Sequence, residues 1–108
     1  MLKINKKLTD SAGGDVVSGT VVDCYANFPQ HRSYSIYFGL FFYKSMNGFE
    51  AGDIPYQPKE VSDYSPSYKM TKEDFDSLTP IKVMEKLADL IAEQSGGQIP
   101  REDIEVII

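Results

Sequence analysis

Arg32-Ser33-Tyr34-Ser35-Ile36-Tyr37-Phe38-Gly39-Leu40-Phe41-Phe42-Tyr43-Lys44 is the stretch whose reading decides the fold. It reads as one long β-strand. Tyr34, Ile36, Phe38, Leu40 and Phe42 share one face; Tyr37, Phe41 and Tyr43 share the other, with Gly39 leaving a gap between them. Successive side chains of a strand point to opposite sides, so both faces of this sheet call for cover. A small domain usually covers one of them. The second face therefore predicts a partner chain. Residues 33–44 would span about 40 Å at ~3.3 Å per residue, and ordinary strands run to only about 5–6 residues. The strand is expected to bend at Gly39 or to project beyond the body of the domain.

Working outward, residues 16–28 read as a second strand. Thr20, Val22, Cys24, Ala26 and Phe28 face the core, and Val21, Asp23, Tyr25 and Asn27 are half-exposed on the other side. Ser18-Gly19 interrupts the alternation and predicts a bulge or bend. Pro29-Gln30-His31-Arg32 is a compact turn joining the two strands into a long hairpin. Asn47-Gly48 predicts a two-residue hairpin turn, because a type I′ turn needs positive φ at both positions. A third strand at residues 49–54 would follow, completing an antiparallel meander. Leu2-Lys3-Ile4-Asn5 reads as a short edge strand and residues 6–15 as a loop.

Residues 55–70 form an arm rich in Pro and Tyr, with Pro55, Pro58, Pro66, Tyr56, Tyr64 and Tyr68. Proline favours extended backbone without ladder donors. An arm of this length without regular structure is often functional, and tyrosines give it amphipathic anchors. Thr71 caps a short helix whose first turn carries Glu73 and Asp74. Thr79-Pro80 opens the main helix, with Thr79 as N-cap and Pro80 at its favoured first position. Ile81, Met84, Leu87, Ala88 and Ile91 form its apolar stripe, and Gly96-Gly97 ends it. Residues 104–108 read as a closing strand that either joins the sheet or pairs with another subunit.

The fold class is therefore α+β: an antiparallel β-meander built on a long central hairpin, one main C-terminal amphipathic helix and a closing C-terminal strand. The 108 residues form one domain, mainly β over 1–54, an arm over 55–70, and helix plus terminal strand over 71–108.

Composition narrows the function. With 11 Lys+Arg against 16 Asp+Glu the net charge is -5, and a nucleic-acid partner is not expected, because phosphate binding needs clustered Lys and Arg. Stacking of bases on Tyr37, Phe41 and Tyr43 would need interleaved cations, and only Arg32 and Lys44 flank the strand. The single Cys24 excludes an internal disulfide and a zinc site built on cysteines. The N-terminal residues are too polar for a secretory signal, and no apolar run reaches the length of a membrane span. A cytoplasmic site of synthesis is expected.

Catalytic chemistry finds little support. The lone His31 lies in a turn, where a solvated role is the ordinary one. A Cys24–His31 dyad is formally conceivable, but Cys24 sits on the core face. Glu73, Asp74 and Asp76 stand where helix starts attract acids, and Arg101-Glu102-Asp103 is a charged turn; neither follows a calcium-loop pattern. Phosphate-loop and nucleophile-elbow motifs are absent. The sequence predicts no enzyme, no cofactor and no metal.

The size, the acidity, the two-faced hairpin running from Gly19-Thr20-Val21-Val22 to Lys44, and the arm together resemble small structural proteins of tailed bacteriophages, such as connector, tail or baseplate components. The resemblance implies a non-enzymatic subunit, often in a symmetric ring, found in the virion. The expected contacts are Tyr37, Phe41, Tyr43, Tyr56, Tyr64 and Tyr68, and the expected partners are copies of the chain or other subunits. The alternative is a small acidic inhibitor of a basic protein, which would gather acids such as Asp10, Asp15, Glu50, Asp53, Glu60 and Asp63 on one surface.

Overall fold

The computed structural model describes residues 1–27, 34–61 and 67–107. In chain order the strands are β1 (Leu2–Ile4), β2 (Leu8–Thr9), β3 (Val16–Val17), β4 (Thr20–Asn27) and β5 (Ser35–Tyr43). Helix α1 (Met46–Glu50), strand β6 (Ser67–Lys69), helices α2 (Lys72–Asp76) and α3 (Pro80–Gln94), a 3-10 turn (Arg101–Asp103) and β7 (Ile104–Val106) follow. Five strands form one antiparallel sheet in the order β6-β5-β4-β1-β7, and β2 and β3 form a separate hairpin. Strands, one main helix and a C-terminal strand combine as the expected α+β fold.

The core lies between one face of the large sheet and α3. Leu2 and Ile4 of β1, Val22 of β4, Ile36, Phe38 and Phe42 of β5 and Ile104 of β7 meet Leu87, Ala88 and Ile91 of the helix. Thr79 accepts the Lys82 backbone N–H and Pro80 opens α3, as read from the sequence. Thr71 caps α2 through the Asp74 N–H. Ser95 caps the end of α3, where its hydroxyl accepts the buried Ile99 N–H at 3.0 Å, and Gly96-Gly97 follows.

Four expectations are corrected. Asn47-Gly48 is not a hairpin turn, and residues 49–54 are not a strand. Ser45 accepts the Gly48 N–H at 2.9 Å and caps α1 instead. Gly48 is buried for packing reasons: a Cβ there would lie 2.7 Å from an Asp53 carboxylate oxygen and 3.2 Å from Ser45 Oγ. The strand that completes the meander on β5 is β6, taken from within the Pro/Tyr arm. Second, β1 is interior rather than an edge, because the chain's closing strand β7 joins the sheet on its far side. Third, residues 6–15 contain β2, which pairs with β3; Gly19, at φ 78, takes a left-handed conformation that separates β3 from β4. Fourth, Val21, expected half-exposed, is buried at 1 %. Helix α1 contacts β4 and β5, and it covers this end of the second sheet face.

The first part of the arm is stitched to the body. Tyr56 bridges Phe42, Pro58 bridges Asp10, and Val61 is buried in the core. The Glu60 carboxylate accepts the Thr9 N–H at 2.6 Å, and Lys59 N–H donates to Thr9 C=O at 2.8 Å. The turn expected at residues 29–32 lies outside the described residues.

Asp10 holds this corner together. It accepts the Ala12 N–H at 2.9 Å and pairs with Lys44 at 3.0 Å. The Ala12 N–H first, and then the Lys44 ammonium, hold its carboxyl below the ordinary 3.8. A carboxylate with a depressed folded pKa stabilises the fold above its unfolded pKa, and loses that contribution as pH falls from about 3.8 through the folded value.

Two outcomes are expected. Ser45→Ala should cost about 1 kcal/mol in chemical denaturation, the usual loss of an N-cap; no loss would mean that the cap does not hold α1. Asp10→Asn should lower the melting temperature at neutral pH and flatten its decline below pH 4, measured by thermal melts across pH; an unchanged acid limb would show that Asp10 contributes nothing there.

Candidate functional site: an uncovered aromatic sheet face

Pairing of β4 with β5 sets the second face of the sheet. Asp23 lies opposite Phe41, Tyr25 opposite Gly39 and Asn27 opposite Tyr37. Directly opposed and diagonal neighbours on one face are within reach of each other's rings. Tyr25, Tyr37 and Phe41 therefore converge, at 59 %, 46 % and 42 % exposure. The Tyr25 and Phe41 rings lie 6.3 Å apart at 40°. The ring of Tyr25 occupies the gap left by Gly39, where any Cβ would run into it. Large apolar rings exposed side by side on a sheet are the usual mark of an interaction surface.

The expected contact residues divide. Tyr37 and Phe41 stand on the open face. Tyr43 shares that face but is half-buried, because Phe49 of α1 packs edge-on against it with centroids 5.1 Å apart. Tyr56 is half-buried beside the core; its hydroxyl hydrogen-bonds to Thr20, and Lys44 Nζ sits 5.8 Å from its ring centre. Burial raises its phenol pKa above 10.0. Tyr68 is half-buried under Lys86 Nζ, 4.9 Å from its ring centre, and pairs with Ile36, which is on the core side. Tyr64 lies outside the described residues. Tyr25 was missed as a contact. Its signal was Gly39, whose empty position opposite an aromatic residue is a seat for a cross-strand ring, but only the register shows which residue fills it.

Around the patch the charges are mixed: Asp23 on β4, Lys3 on β1, Glu105 on β7 and Lys69 on β6. This is no phosphate-binding track. Of the acids expected of an inhibitor, Asp10 is paired with Lys44 and Glu60 is held by Thr9, while Asp15, Glu50 and Asp53 are exposed. Asp63 lies outside the described residues.

The opposite side of the sheet opens into an apolar cleft of about 560 Å³, lined by Cys24, Ala26, Pro80, Met84 and Val106 among others. Cys24 Sγ donates to Met84 Sδ at 3.7 Å. Burial pushes the thiol above its usual 9.0. A thiol held protonated is a poor nucleophile. His31, its formally possible base, lies outside the described residues. Among the described residues no three His, Cys, Asp or Glu side chains gather as a metal site, and no helix is long and apolar enough to cross a membrane.

No family model, no curated protein and no solved structure matches this chain.

Cys24 should react with iodoacetamide at pH 8 more slowly than a free cysteine, with the rate approaching the free value on denaturation. Equal rates in the folded and unfolded protein would contradict a half-buried, protonated thiol.

Proposed function

We propose that this chain is a non-enzymatic assembly subunit that docks through the open aromatic face of its sheet, first against another copy of itself and also against neighbouring subunits. The observation that carries the reading is the convergence of Tyr25, Tyr37 and Phe41, exposed at 59 %, 46 % and 42 % on a face that, among the described residues, α1 covers at one end. Tyr and Phe are enriched at protein interfaces, where they bury large areas at small entropic cost. A phage virion, in a connector, tail or baseplate, is the assembly that the resemblance of the sequence implies. The acidic-inhibitor alternative is less favoured, since Asp10 and Glu60 are engaged within the fold.

The test is mass in solution over a concentration series, by light scattering after size exclusion, for the wild type and for Tyr37→Ser combined with Phe41→Ser. The wild type should exceed 12.1 kDa as concentration rises. The double variant should keep its circular dichroism and need at least about tenfold more protein to associate, a loss of ~1.4 kcal/mol. Equal association of the two folded proteins would remove the aromatic face from the interface.

A further inference from the structure

The sheet has two edges, and they are not equivalent. At β7, Asn5 N–H donates to Asp103 C=O at 2.6 Å and Ile107 N–H to Met1 C=O at 2.9 Å. Lys3 and Glu105 are thereby the hydrogen-bonded pair, and Ile104 and Val106 turn their backbone groups away from β1. The outward groups of Ile104 are already taken. Its N–H donates to Arg101 C=O, and its C=O accepts from Arg101 Nη1 at 2.9 Å. Asp89 of α3 holds that guanidinium at 2.8 Å. A side chain seated on an edge in this way hinders strand addition beside Ile104.

At β6 the ladder leaves the edge open. Met70 N–H donates to Tyr34 C=O at 2.8 Å, so the Ser35–Lys69 pair is the non-hydrogen-bonded one. By alternation Ile36 and Tyr68 exchange both bonds, and Ser67 and Lys69 turn their N–H and C=O outward. Among the described residues none bonds these outward groups.

We propose that β6 is a strand-addition edge whose occupant is β6 of a second copy, related by a two-fold axis through Tyr68. The inference deepens the self-association reading and rests on it. Among the registers that oppose outward groups, this one keeps both hydrogen-bonded pairs within Ser67–Lys69. It places Ser67 opposite Lys69 of the other copy on both sides of the axis, and each such pair exchanges two N–H···O bonds. An axis at Lys69 would set two ammonium groups against each other, and an axis between residues would oppose outward groups to inward ones. The contact is isologous, as a two-fold requires. It joins the two sheets edge to edge with both aromatic faces on one side, so Tyr25, Tyr37 and Phe41 of each copy become one larger surface on which further copies and neighbouring subunits dock.

Lys69→Pro tests this. Proline there removes the outward donor and no inward ladder bond, and edge positions whose N–H faces solvent tolerate it. Lys69→Ala, which keeps the donor, is the control. The wild type and Lys69→Ala should both associate with concentration, and the amides of Ser67 and Lys69 should exchange with deuterium more slowly in concentrated protein. Lys69→Pro should need at least tenfold more protein to associate. If the wild type associates while the Ser67 and Lys69 amides exchange at the same rate at every concentration, edge pairing is wrong and the broader reading stands. If the wild type stays at 12.1 kDa throughout, self-association fails and this inference with it.

Discussion

Everything else in this molecule depends on the register of β4 against β5. Seven consecutive pairs, from Val21–Tyr43 to Asn27–Tyr37, fix which side chains go inward. Burying Val22, Phe38 and Phe42 against α3 forces Tyr25, Tyr37 and Phe41 outward, since a one-residue slip would exchange the two sets. The core and the candidate surface are thus two readings of a single ladder. Core stability and surface chemistry are not independently adjustable along these strands.

Local signals were the legible ones. Thr71, Thr79 and Pro80 announce their helices because capping involves atoms within four residues. The two faces of residues 34–43 were readable because alternation is local too. Asn47-Gly48 misled because its turn preference competed with Ser45, which captures the Gly48 N–H and caps a helix there. β6 was hidden because Ser67-Tyr68-Lys69 is too short to carry a period, and only its pairing with β5 makes it a strand.

The candidate surface was half legible for the same reason. Alternation placed Tyr37, Phe41 and Tyr43 on one face, but it is silent about what lies above them. Phe49 reaches Tyr43 from a helix that the sequence did not announce. Tyr56 and Tyr68 seemed to be free anchors on an arm, yet they are packed by Thr20 and Lys86 from distant elements. Tyr25 joins the patch through a cross-strand relation, which no single segment contains.

The interior position of β1 has a temporal consequence. Leu2 pairs on one side with Val22 and on the other with Val106. One side can close through a contact some twenty residues distant, while the other must wait for a segment near the far end of the chain. Contacts of such long separation slow folding, because loop closure precedes any reward. During synthesis, β1 therefore keeps one bare flank until residues 104–106 have followed it.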